Sequence, residues 1–122
     1  MIETVRVSER ARYQLMTIRK RTGIENWNVI CRWALVISLK DQSIPPHENI
    51  VTDSSVEMTW RTFGGTYEKT YLGLLIQRLV KDKIEITKDN VNNYFKIHLH
   101  RGLSNLATGK FKKLRDYLKL TL

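Results

Sequence analysis

The chain holds one cysteine, Cys31, in 122 residues. A single thiol excludes an intramolecular disulfide framework and fits a reducing compartment. Cys31 lies in an apolar stripe between Ile30 and Ala34, without the cations a reactive thiolate needs, so it reads as a buried structural residue. Long apolar runs are also missing: none approaches the roughly 20 residues of a membrane span. The opening stretch Ile2-Glu3-Thr4-Val5-Arg6 lacks the charged-then-apolar layout of a secretory leader. The expected location is therefore cytoplasmic, away from any membrane. There is no internal repeat and no low-complexity segment.

Signs of catalysis are absent as well. His47, His98 and His100 form no metal pattern, and His98 and His100, two apart on a predicted helix, point about 160° apart. No metal ligand set and no cofactor is expected. Thr62-Phe63-Gly64-Gly65-Thr66 is too short for a phosphate loop and lacks its Gly-Lys-Ser/Thr ending. The glycine pair reads first as a plain turn, with an anion held by free amides as the alternative. Trp60 reads as core, the alternative being that Trp60 and Arg61 stack on or clamp nucleic acid. No local nucleophile–base pair is visible, so no catalytic residue is assigned and the chain is not expected to be an enzyme.

Positive charge is what the chain has in surplus. The composition is that of an ordinary globular protein, 42% hydrophobic and 27% charged, yet the net charge is +9. Between Arg6 and Arg21 stand six basic residues (Arg6, Arg10, Arg12, Arg19, Lys20, Arg21) against one acid, Glu9. Between Lys110 and Lys119 stand five (Lys110, Lys112, Lys113, Arg115, Lys119) against Asp116. These two stretches carry the whole surplus, and the remainder is balanced, ten basic against ten acidic. Segregated charge creates a local potential that a polyanion senses, whereas mixed charge mainly confers solubility. The plainer alternative is that each stretch is a solvated helix face.

The periodicity predicts a mainly α fold, an N-terminal strand followed by a helix bundle, in one domain over 1–122. A strand-helix-helix unit would occupy 2–40, a loop-rich connection 41–65 and a helical part 66–122. Residues 2–7 alternate as a strand. Ser8 has N-cap chemistry for a helix over Glu9–Thr22, with Ala11, Leu15 and Ile18 inward and Gly23 closing it. Asn26 would cap a second helix to about Lys40. That helix is apolar on two faces, one through Trp27, Ile30, Cys31 and Ala34, the other through Val29, Trp33, Val36 and Ile37, and both need covering by other elements or a second subunit.

Pro45-Pro46 marks a loop, and 56–63 reads as a short extended piece. Thr66 would cap a third helix with Tyr67, Tyr71, Leu74, Leu75 and Leu79 inward. Thr87 would cap a fourth over about 88–101, stopped by Gly102. A turn around Leu103–Thr108 would lead to a last amphipathic helix near 110–120, with Phe111, Leu114 and Leu118 on its apolar stripe.

Strand, helix, glycine turn and helix over 2–40 is the order of a ribbon-helix-helix unit, in which a two-stranded ribbon, one strand per subunit, enters the major groove. That reading puts Thr4 and Arg6 against bases with Ile2 beside them, and Gly23–Asn26 on the backbone, where the amides and dipole of the second helix suit a phosphate. Arg10, Arg12, Arg19, Lys20 and Arg21 would meet phosphates, and Lys110, Lys112, Lys113 and Arg115 would add sequence-blind attraction. If Ile2 and the strand are covered by downstream helices, the groove-reading role fails while helix 1 keeps its phosphate contacts.

Three segments together resemble the DndE family: Arg21-Thr22-Gly23-Ile24-Glu25-Asn26-Trp27-Asn28-Val29-Ile30-Cys31-Arg32-Trp33-Ala34, Trp60-Arg61-Thr62-Phe63-Gly64-Gly65, and His98-Leu99-His100-Arg101-Gly102. The resemblance implies a place in the bacterial DNA phosphorothioation system, a restriction–modification setting in which sulfur replaces a non-bridging phosphate oxygen. It also implies a cysteine desulfurase, an iron–sulfur protein and an ATPase as partners. By resemblance this is the small accessory member. The doubly apolar second helix adds the expectation of a homo-oligomer, dimer or tetramer, and the clustered charge that of a grip on double-stranded DNA; for a protein serving backbone chemistry, as the resemblance implies, a nick or gap is a fitting target. The alternatives are a bridging subunit that docks sulfur-transfer partners without touching DNA, and, least expected, a DNA-nicking or ligating enzyme.

Overall fold

The computed structural model describes residues 1–108 and Asp116. Its elements run β1 (Thr4–Arg6), α1 (Glu9–Thr22), α2 (Trp27–Lys40), β2 (Glu57–Thr59), α3 (Trp60–Gly64), a 3₁₀ turn (Gly65–Tyr67), α4 (Glu68–Lys81) and α5 (Lys88–Ala107). The fold is mainly helical with an N-terminal strand, as the periodicity implies.

The ribbon, however, is completed within the chain. β1 pairs antiparallel with β2, in the register Thr4↔Thr59, Val5↔Met58 and Arg6↔Glu57. The backbone N–H of Trp60 donates to Glu3 O (2.9 Å) and that of Val7 to Val56 O (3.3 Å), extending the pairing at both ends. Ile2, Val5 and Val7 are buried. Ile2 thus leaves the groove-facing set and joins the core with Val5 and Val7, because burying its apolar side chain is more favourable than exposing it beside Thr4 and Arg6.

α1 starts where Ser8 Oγ accepts from the Ala11 N–H (3.1 Å) and ends at Gly23, whose φ of 76° is left-handed. Ala11, Leu15, Ile18 and Thr22 are its buried residues. α2 is the central helix. Ile30, Cys31, Ala34, Leu35 and Ser38 are fully covered, and α5 packs along them as its main partner. The second apolar stripe of α2, including Val29, Val36 and Ile37, is only half-buried.

Three boundaries differ from those the sequence predicts. The extended piece shrinks to Glu57–Thr59, because Thr59 Oγ1 accepts from the Thr62 N–H (3.1 Å) and starts a short helix whose Trp60 and Phe63 face inward. That displaces the predicted Thr66 cap, and α4 begins at Glu68. Gly102 does not stop a helix; α5 runs through it to Ala107. A Cβ on Gly102 would lie 1.9 Å from Ala34 O, so glycine is present for a helix crossing and not for a turn. Tyr67 and Leu74, placed inward by periodicity, are 66% and 40% exposed.

Candidate nucleic-acid interface

The basic residues of the first stretch divide according to α1's 100° per residue. Its buried stripe faces the core. Arg10, Gln14, Thr17 and Arg21 fall on one flank; Arg12, Met16 and Arg19 on the other; Tyr13 and Lys20 lie on the outer crest. Tyr13 is 58% exposed.

Several of these cations already hold positions within the chain. Arg12 makes a two-point contact to Glu9 Oε1, from Nε (2.8 Å) and Nη2 (2.7 Å), and lies against the Tyr13 ring. The Arg19 guanidinium stacks 4.0 Å from the ring centroid of Trp27. Such stacking fixes the side chain while its N–H edges stay available to an anion. Arg21 Nη1 donates to Ala107 O (2.8 Å), tying the end of α1 to the end of α5. On the ribbon, Arg6 Nε donates to Ser54 O (2.9 Å), and Thr4 is exposed. Arg10 and Lys20 are exposed, and Arg10 borders a cleft of ≈ 250 Å³ with Gln14, Ser104 and Asn105. Gly23 and Asn26 are exposed at the turn into α2, and the Asn26 side chain makes no capping bond. Lys110, Lys112, Lys113 and Arg115 lie outside the described residues, as does the predicted helix near 110–120 apart from Asp116.

A buried polar cluster went unread in the sequence. Arg78, at the inner face of α4, donates from Nε to Asp82 (2.8 Å), from Nη1 to the carbonyls of Leu39 (2.9 Å) and Asp41 (2.6 Å), and from Nη2 to those of Gln42 (3.2 Å) and Ser43 (2.8 Å). It thereby closes the C-terminal end of α2. Asp82 also accepts from the Tyr94 hydroxyl. Burial opposes the charge on Asp82, but the bonds from Tyr94 and Arg78 outweigh it and hold the carboxyl below its usual range. Burial and Asp82 push Tyr94 up to about 12. Arg101 works in parallel, donating to Ser38 Oγ (2.8 Å), Ser38 O (2.7 Å) and Ser43 O (2.9 Å). The signal available was an arginine inside an otherwise apolar helical stripe, Leu75-x-x-Arg78-Leu79.

The segment His98-Leu99-His100-Arg101-Gly102 acquires a role at every position. His98 Nδ1 sits 2.8 Å from Ser38 Oγ, and its Nε2 has no partner among the described residues. Burial, with Arg101 and Arg78 nearby, lowers His98 to about 4, so it is neutral at neutral pH. His100 Nε2 accepts from the Ser8 N–H (3.1 Å), which requires the proton on Nδ1, where it donates to Lys96 O (2.7 Å). Leu99 is fully buried, Arg101 clamps the α2 end, and Gly102 admits the crossing. The two histidines therefore serve separate packing contacts.

The other quoted segments are likewise structural. Trp60 and Phe63 stack at 5.0 Å and meet Phe95 edge-on at 5.3 Å each, so Trp60 is core. The Gly65 N–H donates to Arg61 O, which leaves the glycine pair a turn and not an open amide cradle. Cys31 is sealed, and burial raises its thiol to about 12. Among the described residues, no group of three or more His, Cys, Asp or Glu side chains could hold a metal, and no helix is long and apolar enough to cross a membrane.

The fold is similar to that of a solved protein, DndE from Escherichia coli B7A, described as involved in DNA phosphorothioation modification. The likeness covers 87% of this chain and 98% of that one, at a TM-score of 0.72 and 17% identity. No match is found among curated proteins. Residues 4–115, most of the sequence, match the family described as DNA sulphur modification protein DndE, and the chain belongs to that family.

Proposed function

We propose that the chain is a non-catalytic, cytoplasmic DNA-binding accessory protein of a bacterial phosphorothioation system, gripping the duplex backbone as a homo-oligomer. The observation that carries this reading is the outer surface of α1. Lys20 is exposed on its crest and Arg10 on one flank, with Arg12 and Arg19 braced on the opposite flank by Glu9 and Trp27. Braced guanidiniums lose less freedom on meeting a phosphate than free ones. Arg6 and Thr4 add contacts from the ribbon, Gly23 and Asn26 from the open turn, and Arg21 from the α1 end. Lys110, Lys112, Lys113 and Arg115 contribute sequence-blind attraction. A nick is the backbone feature such a protein would favour.

The non-catalytic part rests on where the reactive groups sit. Cys31, Ser38 and His98 are all fully buried. A gel shift with intact and nicked duplexes tests the proposal. Arg10→Ala with Lys20→Ala is expected to weaken binding uniformly across sequences; unchanged binding would remove α1 as the contact surface. Incubating plasmid with divalent metal should give no cleavage.

A bridging role beside the desulfurase, the iron–sulfur protein and the ATPase is the second reading, favoured by a groove that Val36 and Leu39 of α2 and Leu74 and Val80 of α4 line with apolar surface. A complex with those partners that survives nuclease treatment would support it.

A further inference from the structure

Between the C-terminal half of α2 and α4 lies a groove of ≈ 500 Å³. Val36 and Leu39 line it from α2, and Leu74 and Val80 from α4, with Lys40 and Lys81 at its rim. Leu74 and Val80 are 40% and 62% exposed, and Val36 and Leu39 are half-buried. This is where the second apolar stripe of α2 is left incompletely covered. The guanidinium of Arg78, which also borders the groove, is bonded to Asp82 and to carbonyls of the α2 end. Among the described residues no carboxylate lines the groove, and both rim lysines are exposed.

We infer that this groove docks an amphipathic helix with acidic flanks, supplied by a partner protein. Its walls are helical ridges at i, i+3 and i+4 spacing: Val36, Leu39 and Lys40 on one side, Leu74, Gln77 and Arg78 on the other. A groove between two such ridges accepts the apolar stripe of a third helix. Charge selects the occupant. A two-fold mate would bring its own Lys40 and Lys81 to a groove without carboxylates, and like charges in a desolvated contact are unfavourable. The chain's own residues 110–119 are strongly basic and carry the same sign. A nucleic acid would satisfy the lysines but leave Leu74 and Val80 against water or phosphate. Acidic flanks around an apolar stripe satisfy both features. The inference stands apart from DNA binding, since the α1 surface takes no part in it and either can fail alone.

The probe is a fluorescent synthetic helix of about four turns, with leucines at i, i+3, i+4 and i+7 and glutamates flanking them; its control carries lysines in place of the glutamates. Anisotropy titration against the full chain is expected to show saturable binding of the acidic peptide only. Leu74→Glu should abolish it. The double variant Lys40→Glu, Lys81→Glu should weaken it by about tenfold or more and favour the lysine peptide instead. All three sites are on the surface, and circular dichroism checks that each variant stays folded. Absence of binding, equal binding of both peptides, or indifference to all three substitutions overturns the inference. So does a fall in sedimenting mass on Leu74→Glu, which would make a second copy the occupant.

Discussion

Gly102 of α5 rests directly on Ala34 of α2, so close that a Cβ at position 102 would meet the Ala34 carbonyl oxygen at 1.9 Å and its carbon at 2.4 Å. The contacted atoms are backbone and cannot rotate aside. Gly102→Ala must therefore push the two central helices apart, with an expected loss of about 2 kcal/mol or more in urea unfolding. Gly73→Ala is the control. None of the described residues lies within 4 Å of a Cβ there, and the change should stabilise α4 by about 0.5–1 kcal/mol. Similar behaviour of the two variants would contradict the crossing.

Arg78 answers for four carbonyls and one carboxylate at once, with side-chain exposures of 4% for Arg78 and 6% for Asp82. Arg78→Leu strands those carbonyls and leaves a buried charge unpaired, at an expected cost of about 3–5 kcal/mol. Arg78→Lys should recover little, because a single ammonium cannot span the same fork of acceptors. Thermal melts of the two variants decide this, and a lysine variant melting like the parent would contradict it.

Both α5 histidines are held below their ordinary value of 6.5 by burial, His98 to about 4. Their protons then bind more readily to the unfolded chain. The stability they contribute is complete above pH 6.5 and is lost as the pH falls below it, for His98 down toward about 4. Protonated His100 would also set an N–H against the Ser8 N–H. Unfolding free energies measured across that interval should fall on acidification, and less steeply in His98→Gln. A flat profile, or an unchanged slope in the variant, would contradict the assignment.

The Cys31 thiol, raised to about 12 by burial, should resist thiol reagents in the folded protein at neutral pH and react promptly once urea unfolds it. Rapid labelling of the native chain would mean that α2 is more accessible than its packing shows.

The helices with chemical punctuation were legible. Ser8, Gly23 and Thr87 mark ends that local hydrogen bonds and left-handed backbone dictate, and α1 falls where those marks put it. Gly102 was misread because a helix-stopping glycine and a helix-crossing glycine look identical until the neighbour, Ala34, is known. The ribbon was misassigned for a similar reason. Nothing in Thr4–Arg6 specifies that its partner is Glu57–Thr59, because strand pairing across some fifty residues leaves no local trace. The basic residues of α1 were found from charge alone, but their restraints by Glu9, Trp27 and Ala107 depend on tertiary contacts. The Arg78 cluster stayed hidden because its partners are mostly carbonyls, which every residue has.

The central claim, that this chain grips the DNA backbone through its clustered cations, is tested most directly by the salt dependence of its affinity. Anisotropy titrations of a labelled duplex between about 50 and about 200 mM salt should show a steep linear fall in log affinity against log salt, because each phosphate neutralised releases counterions. Arg10→Ala and Lys20→Ala should each make that slope shallower by about one. Binding that is absent, or that holds constant across the salt range, would contradict the account.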